Sequence, residues 1–215
     1  LALLGATLEK IAIEIRNLQR TEIAEVSEHF KKGQMGSSAI PTKRNPIKSE
    51  RISSLSKLLR SQISTSFENI PSWHERDLSN SANERFTLPM TSILLDEMLE
   101  TMITVIENLQ VDTKRVRENL HITKGQIFSE FVLEALIKKG IPRFKAYRDV
   151  QRVAFAAHKK GINFMDALGN DKVVSSALSD KEIKSIFVAE NHLGASLTII
   201  DNVNNHVRAN TKKFS

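Results

Sequence analysis

The 215-residue sequence contains no cysteine, which rules out disulfides and thiolate metal sites and favours a reducing compartment. No apolar run approaches the roughly 20 residues needed to cross a bilayer, so no membrane span is expected. Leu1 to Leu8 is apolar, yet no basic segment precedes it and no cleavage-like site follows, so it does not read as a secretory leader. A cytoplasmic location is the expectation. One Trp and one Tyr leave little for stacking on bases, and neither zinc-finger spacing nor an RNA-recognition signature is present. The 31 basic residues are interleaved with 25 acidic ones. The net charge of +6 and pI near 9.5 therefore read as a solvated basic surface or an affinity for small anions, and no nucleic-acid partner is expected. Convincing strand alternation, internal repeats and low-complexity tracts are missing too. The chain has no initiator Met and opens inside a helical pattern, so we expect a piece of a longer protein.

What is present is helix. Leu4, Leu8, Ile11, Ile15 and Leu18 step by four and three along a first long helix expected over 1–31, with an interruption at Glu22 and a stop at Lys31-Lys32-Gly33. Ile52, Leu55, Leu59, Ile63, Phe67 and Ile70 keep the same spacing from Pro46 to about Asn69, where Pro71 ends the pattern. Ser81 and Glu84 fit a capping box at the start of a third helix, which carries Leu88, Thr91, Leu95, Met98, Met102, Val105 and Leu109 to about Gln110. Pro89 lies close enough to that start to be tolerated, or bends the helix there. Three narrow stripes make a thin bundle, so further helices are expected to cover them.

After Val111 the segments shorten: 113–119, 123–139, 142–159, 163–168, 171–178 and 179–187, the last two with Asp or Ser caps, then a final helix from about Gly194 and a frayed polar tail from Arg208. The expectation is an all-α chain of two parts: residues 1–110 as part of a long-helix bundle and 111–215 as a small helical domain.

The bundle pattern is broken once, over 32–50, KGQMGSSAIPTKRNPIKSE. Gly33 and Gly36 free the backbone, Pro41 and Pro46 fix it, and Asn45-Pro46 reads as a helix start with Asn as the cap. A polar loop running into a helix N-terminus is a place for an anion. Serine is a poor base unless its alkoxide is stabilised, and a lysine, backbone donors and a helix terminus are what could do that. The plain alternative is an ordinary surface loop.

GSSAIPTKRNP closely resembles the signature loop of the fumarase/aspartase superfamily, of general form GSSxMPxKxNP. The flanking QRTEIAEVSEHF and the PSWHERDLSNSANER that follows narrow the resemblance to the adenylosuccinate lyase family. It is strong from Leu1 to about Leu109 and weaker beyond. The resemblance implies a lyase of purine nucleotide synthesis that eliminates fumarate from adenylosuccinate, giving AMP, and from succinylaminoimidazole carboxamide ribotide. It implies no metal or organic cofactor, a small-molecule nucleotide substrate, and a homotetramer whose active sites are shared between subunits. The expected catalytic residues are Ser37 as base, with Lys43 and Asn45 stabilising the dianionic carboxylate. Ser38, Glu50 and Arg51 would contribute to substrate binding, and Arg76, Ser81 and Arg85 would hold the nucleotide phosphate. Without the resemblance, Ser81 is only a cap, the arginines are solvated, and Glu50 and Arg51 are helix-surface charges that contribute little.

Two departures are small: Ile40 replaces the usual Met, and Thr42 stands where His or Tyr is common. A larger one is that the family's acid histidine belongs to an earlier region. His29, His74, His121, His158, His192 and His206 fall in no matching motif, so this chain is expected to be inactive alone. The alternatives are another lyase of the superfamily, of the argininosuccinate lyase kind, or a non-catalytic helical module that binds nucleic acid or protein.

Overall fold

The computed structural model describes residues 1–30, 33 and 39–211. They divide into two compact units, Leu1–Asn119 and Leu120–Ser215. In the first, α1 (Ala2–Leu18), α2 (Ile47–Glu68) and α3 (Ser81–Glu107) pack with α2 against both neighbours, and a short α4 (Thr113–Leu120) closes the unit. Leu8, Ala12, Ile52, Leu59, Leu95, Met98 and Met102 form its core.

The first helix is shorter than its pattern. It stops at Leu18 rather than running to 31. Ile23 and Ala24 both donate to the Arg20 carbonyl, Ala24 takes a positive φ of 54°, and Val26–Ser27 (β1) pairs antiparallel with Gln110–Val111 (β2). With Leu18 the apolar stripe has ended, and β-branched Thr21, Ile23 and Val26 gain little from staying helical. Pairing with β2, which follows α3, supplies backbone bonds in place of those a longer helix would have made.

The buried faces are also rotated from the apolar stripes. On α1 the buried residues are Gly5, Leu8, Ala12 and Ile15, and on α2 they are Ser49, Ile52, Ser53, Ser56 and Leu59. Small side chains let the two helices approach closely, and a methyl on Gly5 would collide with Leu59. The buried hydroxyls are not left unsatisfied. Ser56 Oγ donates to the Gly5 carbonyl (3.1 Å), Ser53 Oγ to the Ser49 carbonyl (2.9 Å), and Arg16 donates to Ser53 Oγ (3.1 Å). Arg60 binds Glu9, and this bond holds the Glu9 carboxyl below the usual carboxylate range. Leu4, Ile11, Ile63, Phe67, Ile70 and Leu88, all expected inside, are exposed in the single chain.

Two expected caps are absent. No side-chain cap bond is made at the start of α3, where Asn80 is the capping residue and donates to Glu84 (3.0 Å) instead of leaving Ser81 and Glu84 to form a box. At the start of α2, likewise, no side-chain cap bond is made.

The second unit holds α5 (Ser129–Lys138), α6 (Arg143–Lys160), α7 (Phe164–Gly169), α8 (Lys172–Ala177), α9 (Asp180–Ile186) and α10 (Ser196–Thr211). The segment expected as one helix over 123–139 is divided. Gly125, at φ 88°, leads into a 3-10 turn over Gln126–Phe128 before α5. Helix α10 runs to Thr211, through the first part of the tail expected to fray. Phe128, Val132, Leu136, Val153, Phe164, Leu168 and Ile183 lie in its core, and Phe128 and Phe164 both touch the Phe187 ring.

The caps read here from sequence are present. Asp171 accepts from the Val173 and Val174 N–H groups, and Ser179 with Glu182 forms a full capping box. Arg152 holds the Asp171 carboxyl down, as do the two cap N–H groups. Lys139, and then Ser179, pull the Glu182 carboxyl from 4.5 to about 2. A carboxylate whose pKa is lowered on folding adds stability above its unfolded pKa and loses it as pH falls through the folded value. The melting temperature of this unit is therefore expected to drop as the solution is taken from pH 4.5 towards 2, and less so in Glu182→Gln. Circular dichroism melts over that range check it; identical slopes in parent and variant would count against the assignment.

Candidate active site

An open cleft of about 1340 Å³ lies in the first unit, where the C-terminal half of α1, the 19–27 segment, residues 42–46 and residues 110–114 meet. Lys43, Asn45 and Glu50 line it, as do Arg16, Arg20, Arg44 and Lys114. With five cationic side chains against Glu25, Glu50 and Asp112, it favours an anion. Lys43 is exposed, and its N–H closes a turn on the Ile40 carbonyl (3.1 Å). Asn45 is half-buried, and its carbonyl accepts from the Ile47 N–H (2.9 Å). Arg44 lies over the Phe30 ring, 5.5 Å from its centroid.

The N-terminus of α2 differs from the expectation of an Asn45 cap and an open anion position. The helix begins at Ile47, one residue later, and the donors of its first turn are taken by Glu28. Glu28 Oε1 accepts from the Ser49 N–H (2.7 Å) and Ser49 Oγ (2.6 Å), and Oε2 accepts from the Lys48 N–H (3.3 Å). A carboxylate of the chain itself therefore occupies the positive end of the helix. The positive character of the cleft comes from side chains such as Lys43, not from that terminus.

The other expected residues separate into groups. Ser37 and Ser38 lie outside the described residues. Arg51 does not line the cleft; it crosses to α3, where it donates to Thr101 (3.0 Å) and pairs with Glu97 (2.9 Å). Ser81 and Arg85 share a face at the start of α3, and Arg76 sits in the exposed segment before it. That segment is organised by Asp77, which accepts from the Trp73 and Ser79 N–H groups and from the Ser79 hydroxyl. The Ser79 hydroxyl first, then the two N–H groups, holds the Asp77 carboxyl low. Asn69 and Asn83 exchange two hydrogen bonds, which places this end of α3 against the C-terminal end of α2. Lys43 and Asn45 lie just before the N-terminal end. At 1.5 Å per residue, the 22 residues of α2 hold the two groups about 33 Å apart.

Arg16, Arg20 and Lys114 were not singled out by sequence. Arg20 lies in the QRTEIAEVSEHF segment but was given no role there, Arg16 and Lys114 belong to no quoted motif, and the turn that brings 19–27 against 110–114 places all three on one cleft.

The fold is the all-helical one of the fumarase/aspartase superfamily. A family model described as "Lyase" matches residues 1–58, and one described as "Adenylosuccinate lyase C-terminus" matches 125–203. Among solved structures, the 3-carboxy-cis,cis-muconate lactonizing enzyme of Pseudomonas putida is similar at a TM-score of 0.82 and 27% identity, covering 96% of this chain and 45% of that one. The fumarate lyase of Mesorhizobium sp. BNC1 shares the fold at a TM-score of 0.81 and 24% identity, covering 94% of this chain and 44% of its own. Among curated proteins, adenylosuccinate lyase of Thermotoga maritima is 43% identical over 187 residues, which is 87% of this chain. The chain belongs to the adenylosuccinate lyase family. It spans 43% of the length of that relative.

Proposed function

We propose that the intact enzyme containing this chain eliminates fumarate from adenylosuccinate, leaving AMP, and from succinylaminoimidazole carboxamide ribotide. The observation that carries this reading is the signature segment GSSAIPTKRNP ending with Lys43 and Asn45 at a cationic cleft. Ser37 takes the proton from the succinyl carbon beside a carboxylate. The electron pair left behind spreads onto that carboxylate, whose second negative charge Lys43 and Asn45 stabilise as donors. The pair then forms the carbon–carbon double bond as the carbon–nitrogen bond breaks, and an acid supplied from outside this chain protonates the leaving nitrogen. Ser38, Glu50 and Arg51 help seat the substrate, while Arg76, Ser81 and Arg85 hold its phosphate, two guanidinium groups giving that site its charge.

The separation of about 33 Å along α2 means that one copy of the chain cannot present both groups to one nucleotide. It supports a homotetramer in which the loop of one subunit meets the phosphate residues of another. The exposed stripes Leu4, Ile11, Ile63, Phe67, Ile70 and Leu88 suit the same assembly. We place Leu1–Asn119 in the central bundle and Leu120–Ser215 in the C-terminal helical domain, a boundary nine residues beyond the division at 110 that the sequence suggested. The enzyme would work in the cytoplasm, consistent with a sequence free of cysteine. No helix among the described residues is long and apolar enough to cross a membrane.

A substrate panel tests the activity. Fumarate should be released from adenylosuccinate and not from argininosuccinate, and the reverse result would sink the reading. Sharing of sites is tested by co-refolding inactive Lys43→Ala and Arg85→Ala variants. Activity should return in the mixture, because some sites receive an intact loop from one variant and an intact phosphate group from the other. A mixture as inactive as its components would exclude the shared site.

A further inference from the structure

We infer that Glu28 and Gln19 form a latch that sets the position of Lys43 and Asn45, and that they are positioning residues for the proposed elimination. The inference rests on the reading of Lys43 and Asn45 as charge stabilisers. Neither latch residue touches the reacting atoms in this scheme; both act on the backbone to either side of the two that do.

The geometry is a pair of clamps. On one side, Gln19 Nε2 donates to the carbonyl of Arg44 (2.9 Å), the residue between Lys43 and Asn45. On the other, Glu28 takes the Lys48 and Ser49 N–H groups and the Ser49 hydroxyl. The clamps are joined, because Gln19 Oε1 accepts from the Glu28 N–H (2.9 Å). One side-chain amide therefore ties the loop to the residue that ties the helix.

The latch itself is anchored from behind. The Asp112 N–H donates to the Glu25 carbonyl (2.9 Å), and Arg115 donates to the carbonyls of Ile23 (3.0 Å) and Glu22 (3.1 Å). Asn119 donates to the Ile23 carbonyl (2.9 Å) and to Glu25 (2.8 Å). The 22–28 segment is thus held on the chain after α3, and Glu28 is presented to α2 by a fixed support. Lys43 is exposed and has no helix of its own to orient it. Its reach is set by where its backbone is pinned, and preorganised donors are worth most when they need not move during reaction.

The test uses the intact enzyme and the variants Glu28→Ala, Glu28→Gln and Gln19→Ala, with Lys43→Ala as reference. Displacing a catalytic group by about 1 Å can cost a hundredfold, so Glu28→Ala and Gln19→Ala should each lower kcat by roughly tenfold to a hundredfold. KM for adenylosuccinate should stay within about twofold, since ground-state binding is untouched. Glu28→Gln keeps an acceptor oxygen and should fall between Glu28→Ala and the parent. Hydrogen exchange followed by mass spectrometry should show faster exchange over 43–49 with α3 unchanged. If Glu28→Ala does not fold, Glu28→Gln and Gln19→Ala carry the test. Full turnover in the latch variants while Lys43→Ala is impaired would overturn the latch alone. Full turnover in Lys43→Ala would overturn the reading of the loop and the latch with it. Loosening that spreads into α3, with kcat and KM failing together, would show a merely structural role and also overturn it.

Discussion

In the intact enzyme, Lys43→Ala is expected to lower kcat by roughly two to three orders of magnitude, the range found when one preorganised oxyanion donor is removed. A proton on carbon beside a carboxylate is only weakly acidic, and its removal places a second negative charge on that carboxylate. Lys43 sits at a cleft where cationic side chains outnumber acidic ones, so a charged donor there acts against a favourable background field. Lys43→Arg should recover only part of the loss, because a planar guanidinium cannot place its donors where a compact ammonium does. Steady-state fumarate release checks both variants. The decisive comparison is kcat against KM: a group that acts in the transition state lowers kcat and kcat/KM together, whereas a uniform binding contact raises KM alone. Turnover within about twofold of the parent would remove Lys43 from the chemistry.

The second large effect concerns stability. Phe164→Ala should destabilise the second unit by about 3–5 kcal/mol. Phe164 is fully buried, its ring meets Phe187 edge-on at 6.0 Å, and its N–H donates to the Lys124 carbonyl (2.9 Å). Truncation leaves a cavity beside Phe187, on which Phe128 also packs at 5.2 Å, so the aromatic cluster loses support on one side. In a unit of this size the loss corresponds to a fall in melting temperature of more than about 10 °C. Phe164→Leu keeps most of the volume and should recover over half of the loss. Thermal melts of parent and variants decide it; a fall of only about 2 °C for Phe164→Ala would mean the cluster can close over the gap.

Much of the molecule was legible because its determinants are local. Helical character followed from apolar spacing in the long segments and from turn and cap signals in the short ones, and α2, α3 and α6 lie close to where those signals put them. Asp171 and Ser179 could be read as caps because a cap bonds to N–H groups only two or three residues away. The signature segment could be recognised as it stands because its small, rigid and charged residues are contiguous.

Other features escaped because their determinants are distant. The early end of α1 depends on β1 meeting β2, strands more than 80 residues apart, and no window on Thr21 to Ser27 contains that information. Ser49, Ser53 and Ser56 lie outside the apolar spacing read for α2, yet they form the seam against α1, where close approach and hydroxyl bonding outweigh apolar area. Ser81 looked like a cap with Glu84, but the Asp77 turn and the Asn69–Asn83 pair settle how the chain enters α3. The anion at the N-terminus of α2 could be anticipated in kind, since backbone donors there need a partner. That the partner is Glu28, about 20 residues upstream, could not.

The sequence alone determined an all-helical chain, its break at 32–50 and the chemistry that segment resembles, since periodicity, capping and contiguous motifs act within a few residues. Tertiary structure alone decided which faces are buried, that Glu28 closes the helix terminus, and that Arg16, Arg20 and Lys114 join Lys43 and Asn45 on one cleft. These follow from pairings between segments distant in sequence, where backbone donors, small side chains and charges select their partners only once the helices are packed.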